Sequence, residues 1–154
     1  MKILTETDNK YKEIELHVCS NALTDEVRAV VGELHEIYDY NIPGTDEKGN
    51  KRMIRRTEIL SAYSEGQRVI VLTGDGRYAV QKKLYELEHE LGDANFIRIS
   101  KSEIINIHKI KSLDMGITGT IRLVLKTGYE TYVSRRNVAK IKEKLTKERP
   151  EGKA

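Results

Sequence analysis

The chain has 154 residues, enough for one ordinary domain with an appendage and for a real buried core. No apolar run approaches the roughly 20 residues that cross a bilayer, and MKILTETDNK lacks the apolar segment of a signal peptide, so a transmembrane helix is excluded and a cytoplasmic protein expected. Residues 1–50 hold 5 Lys+Arg against 11 Asp+Glu, a net of −6, whereas residues 51–154 hold 22 against 13, a net of +9, which makes the basic part a candidate for a polyanion such as nucleic acid, the alternative being a solvated, Lys-rich surface.

In chain order, Ile14, Leu16 and Val18 alternate with Glu13, Glu15 and His17, the pattern of a half-buried strand. Thr24 then stands as an N-cap before Asp25 and Glu26, and Val27, Val30, Val31, Leu34 and Ile37 or Tyr38 recur at helical spacing. The first 40 residues therefore predict strand, strand, helix. IPGTDEKGNK, residues 42–51, supplies Pro, Gly and charges and predicts a linker or hairpin loop. The boundary is placed there: an acidic α/β extension over 1–50, a second domain over 53–147, and a solvated tail over 148–154.

The second part changes rhythm to short β-rich runs with frequent turn signals. Strands are expected at 59–63, 68–73 and 77–80, the last two joined by Gly74-Asp75-Gly76. Leu84, Leu87 and Leu91 mark a helix ended near Gly92. Further strands are expected at 96–99, 104–107, 110–115, 120–126 and 130–134, the last two turning at Thr127-Gly128. Val138, Ile141 and Leu145 close the chain with a basic helix for which Ser134 or Asn137 is the cap. The fold class is α+β, mostly β.

Catalytic chemistry is not indicated. His17, His35, His89, His108 and Cys19 are scattered, and only His17 and Cys19 could share a strand face, too few for a zinc site. The lone cysteine cannot form an internal disulfide, which fits a reducing compartment. Gly74-x-Gly76 lies between strands, where a turn explains it better than a phosphate loop. No Ser/His/Asp or paired-carboxylate constellation stands out. The chain is expected not to be an enzyme and to need neither metal nor cofactor.

What does stand out is a polar knuckle inside FIRISKSEIINIHKIKSL, residues 96–113: Ser100, Lys101 and Ser102 sit between Phe96, Ile97, Ile99 and Ile104, Ile105, Ile107. Two further polar loops, Glu65-Gly66-Gln67-Arg68 and Ser134-Arg135-Arg136-Asn137, also follow strands. With GTIRLVLKTGYETYVSRRNVAKIKEKL and the helical KKLYELEHEL, these pieces resemble the LytTR family of bacterial DNA-binding domains over about residues 53–147. The resemblance implies a compact, mostly β domain, a transcription regulator that inserts loops into successive major grooves of a direct-repeat site in double-stranded DNA. Carried over by position, the base contacts are Gln67 with Arg68, Lys101 and Arg136. Arg98, Ser100, Ser102, Ser134, Arg135 and Asn137 are backbone or supporting contacts.

The residue chemistry suits these roles. Arg forks onto guanine O6 and N7, Lys reaches the same atoms, and the Gln67 amide matches adenine N6 and N7. Ser hydroxyls donate to phosphate without blocking the backbone. Family members commonly carry His near Gln67 and His, Arg or Asn near Lys101, which implies a different base preference here. Many carry a receiver domain, for which residues 1–50 are too short. The acidic helix is expected to pack on its own domain or, as the alternative, to pair with a second chain in a homodimer. Competing readings are an RNA-binding module, disfavoured by one Phe and no Trp but left room by eight Tyr, and a protein-interaction or sensing module.

Overall fold

The computed structural model describes residues 2–12, 14–116 and 121–148 and divides into two compact units, Met1–Ile37 and Tyr38–Ala154. In the first, the described residues before the helix form no strand, and Ile14, Leu16 and Val18 are 81%, 54% and 42% exposed. The two strands expected there are thus a correction. Alternation supplies a face, but a strand also needs a neighbour for its N–H and C=O groups, and no ladder partner stands among the described residues. Helix α1, Asp25–Asp39, does form. The Thr24 hydroxyl accepts the Val27 N–H at 3.3 Å, and Val27, Val30, Val31 and Leu34 are half-buried along one stripe.

Among its described residues the second unit has ten strands: β1 Asn41–Thr45, β2 Lys51–Arg55, β3 Ser61–Glu65, β4 Arg68–Leu72, β5 Arg77–Val80, β6 Phe96–Ser100, β7 Glu103–Asn106, β8 Ile110–Met115, β9 Ile121–Leu125 and β10 Glu130–Val133. Seven form one antiparallel sheet in the order β2-β1-β5-β4-β3-β7-β6, and three form a second, β10-β9-β8. Helix α2, Leu84–Leu91, precedes β6, and helix α3, Arg135–Glu148, follows β10. Thr120, expected in a strand, and residues 149–154 of the expected tail lie outside the described residues.

Around β4, β6 and β7 both faces of the large sheet are buried, which is why those strands read as apolar runs more than as alternation, whereas β1 and β2 keep one exposed face. On one side Ile104, Phe96, Val71 and Val80 join Leu84, Leu87 and Leu91 of α2. On the other, Ile97, Ile99 and Ile105 meet Ile121, Leu123 and Leu125 of β9 and Ile141 of α3. Adjacent residues such as Ile104 and Ile105 therefore serve different cores, as the period of two requires.

The expected loop over 42–51 is also corrected. It is a hairpin whose first strand, β1, lies inside the large sheet, paired to β2 along its length and to β5 through Gly44↔Val80 and Thr45↔Ala79. Pro43 is tolerated because pairing with β5 begins only at the next residue, so no ladder bond on that side needs its missing N–H. Gly44 faces inward: a Cβ there would come within 2.5 Å of Ile54 Cδ1 and 2.9 Å of Tyr78 Cβ. This glycine serves close packing, not a turn.

Candidate nucleic-acid interface

Two backbone hydrogen bonds bring the three polar loops to one end of the large sheet. The β3–β4 turn holds Gly66, with φ of 62°, and the exposed Gln67. Beside it lies the β6–β7 knuckle, because β3 pairs with β7 and the Ser64 N–H donates to the Ser102 carbonyl at 2.9 Å. The third segment arrives from the other sheet: the Ser134 N–H donates to the Ile99 carbonyl at 3.0 Å, placing the start of α3 against the knuckle. That carbonyl is available because the β6–β7 register shifts between Arg98 and Ser100, a β-bulge at Ile99.

Gln67, Arg68, Lys101, Ser102, Arg135 and Arg136 are exposed, while Arg98, Ser100, Ser134 and Asn137 are half-buried. Lys101, Arg135 and Arg136 enter no ion pair among the described residues. Arg68 lies 3.7 Å from Glu65, whose other carboxylate oxygen is 2.6 Å from Arg77. The Glu65 carboxylate is thus answered by cations of its own. Arg77 also donates to the Tyr63 hydroxyl at 2.9 Å, and that bond with Glu65 holds its guanidinium above the ordinary arginine value.

Arg98 is committed within the protein. Its Nε donates to the Ser100 carbonyl at 2.8 Å, one terminal nitrogen to the Lys101 carbonyl, and the other to Glu88 of α2 at 2.8 Å. Ser100 Oγ accepts the Ser102 N–H at 3.2 Å and lies 3.4 Å from Ser102 Oγ. The knuckle is therefore braced from below while the Lys101 side chain stays free to project. At the third loop the Asn137 amide donates to Ser134 Oγ at 2.8 Å, and Asn137 N–H to the Ser134 carbonyl at 2.9 Å, so Ser134 is the residue at the cap and Asn137 lies inside the helix.

One participant escaped the sequence reading. Glu103, first residue of β7, is only 7% exposed and accepts Ser61 Oγ at 2.7 Å, the Tyr129 hydroxyl at 3.2 Å and the Thr131 hydroxyl. Its only trace in the sequence is an acid heading the run Glu103-Ile104-Ile105-Asn106, all four buried. Among the described residues no group of three or more His, Cys, Asp or Glu is placed to hold a metal, and no helix is long and apolar enough to cross a membrane.

An antiparallel β unit that carries exposed cations and amides on turns at one end belongs to the loop-presenting β domains, and known proteins specify which. The profile of the LytTr DNA-binding domain matches residues 50–146, and the chain belongs to this family. It is 31% identical over 138 residues to an HTH-type transcriptional regulator of Staphylococcus aureus strain MSSA476, covering 88% of this chain and 92% of that protein. A counterpart in strain NCTC 8325 / PS 47 is 31% identical over 134 residues, 86% and 88% of the two chains. A LytTr DNA-binding domain from Bacillus cereus has the same fold, with a TM-score of 0.62 at 18% identity over 69% of this chain and 97% of that one. The mostly β class read from the sequence is thereby the observed one. In this chain no two helices are consecutive among the described residues, so no helix–turn–helix underlies it.

Proposed function

We propose that this protein is a sequence-specific, double-stranded-DNA-binding transcription regulator acting in the cytoplasm, and that it reads a direct-repeat site by inserting loops into the major groove. The observation that supports this reading is the convergence of the three turns through the Ser64–Ser102 and Ser134–Ile99 backbone bonds. Gln67 and Lys101 then project from turns at one end of the large sheet and Arg136 from the first turn of α3 docked beside them, a common footing for base-reading groups, while Ser100, Ser102, Ser134, Arg135 and Asn137 lie beside them for phosphate and turn support. Arg68 reads a base beside Gln67 once DNA displaces its 3.7 Å contact with Glu65. Arg98 is a brace for the knuckle.

Selection of bound duplexes from a random library tests the reading. A regulator of this kind enriches a repeated motif, and its affinity falls with salt by a slope of about −0.9 per phosphate neutralised. Enrichment of no motif, or binding flat in salt, refutes it.

A further inference from the structure

We propose that Glu103 is a positioning residue for DNA recognition: its buried carboxylate, held by Ser61, Tyr129 and Thr131, locks the knuckle that carries Lys101 to the strand that delivers Arg136. The inference rests on the DNA-reading role of these loops. A carboxylate so buried is costly unless its oxygens are saturated by donors. Here the donors come from three places: Ser61 on β3, Tyr129 in the β9–β10 turn, and Thr131 on β10. No lysine, arginine or histidine among the described residues forms an ion pair with it, so the hydroxyls alone hold it.

The connections from those donors lead to each reading loop. Glu103 follows Ser102 directly and pairs across the sheet with Tyr63, so it sits under both the knuckle and the end of β3. Three residues after Thr131 comes Ser134, whose N–H docks on the bulge carbonyl, and Arg136 stands on the first turn of α3. Burial first, then the Glu103 charge, pushes the Tyr129 phenol above its ordinary value, which keeps it protonated and donating. Both sheets are thus pinned at one carboxylate beneath the proposed interface.

The test compares Glu103→Gln, Thr131→Val and Tyr129→Phe with the wild-type chain. Two quantities are measured: amide exchange at Ser64 and Ser134 in the free protein, and affinity for the duplex that wild type enriches against a random duplex of equal length. The expected result is faster exchange at both amides and an affinity for the enriched duplex lowered about ten-fold, with random-duplex affinity held within about two-fold. Equal losses on both duplexes, or unchanged discrimination and exchange, overturn the inference. If Glu103→Gln does not fold, Thr131→Val and Tyr129→Phe decide by the same criteria. If wild type enriches nothing, the DNA reading fails on its own, and unchanged exchange at Ser64 and Ser134 still separately overturns the locking role.

Discussion

Arg136 and Lys142 share α3 but are expected to act on DNA differently. Arg136 stands on the first turn beside the knuckle, whereas Lys142 lies further along, exposed, with its Nζ 3.9 Å from Met115 Sδ. Arg136→Ala is expected to lose about 1–3 kcal/mol on the preferred duplex and to relax choice at one base pair. Lys101→Ala should do the same at a different base pair. Lys142→Ala should weaken all sequences slightly and evenly, since a phosphate contact carries no base information. Titrations of folded variants against preferred and random duplexes check this: equal losses on both for Arg136→Ala and Lys101→Ala would remove them from the base-reading set. The exposure of the polar turns was legible because a polar turn between apolar strands is a local pattern. Glu103 was not, because its burial is created by Tyr129 and Thr131, 26 and 28 residues further on.

Among the elements, those with one dominant local signal were legible: α2 from its Leu84, Leu87, Leu91 spacing, and the β4–β5 hairpin from Gly74-Asp75-Gly76. The β1–β2 hairpin was not, since Pro43 and Gly44 are turn residues by propensity and strand residues only by tertiary packing. This gives a test at Gly44. Gly44→Ala puts a methyl group against Ile54 and the Tyr78 Cβ and is expected to cost about 1–3 kcal/mol of stability in urea unfolding; an unchanged midpoint would mean that β1 is not packed as described. The half-buried stripe of α1 gives another. Leu34→Asp is expected to cost about 2 kcal/mol or more, and light scattering tells whether a dimer is lost with it. Unchanged stability and unchanged mass together would show that nothing covers the stripe.

At the scale of the molecule, the β1–β2 hairpin carries the compact unit upstream of the expected start at residue 53. A chain trimmed to 38–154 is expected to unfold cooperatively, whereas one trimmed to 53–154 loses β1 and uncovers the edge of β5; comparable melting of the two would contradict the sheet order. Stability should also decline on the alkaline side. Burial raises the phenols of Tyr40 and Tyr129 above their ordinary value, helped by Glu90 and Glu103 respectively. A raised tyrosine favours the neutral form in the fold, so its contribution is complete below about pH 10 and fades as pH rises beyond that value. Thermal melts from about pH 8 to pH 11 should show the loss, smaller in a Tyr40→Phe, Tyr129→Phe chain; an identical alkaline decline in that variant would assign it elsewhere.

The bulge at Ile99 also limits how such a protein can change its target over evolutionary time. Its extra residue is what lets one carbonyl leave the β6–β7 ladder and meet Ser134. Adding or deleting a single residue between Arg98 and Glu103 would turn that carbonyl, or the Glu103 side chain, toward the opposite face. Lineages are therefore expected to retune this knuckle by exchanging side chains at a fixed length. A deletion and insertion scan scored by DNA binding would show that constraint as intolerance of any change in length across 98–103.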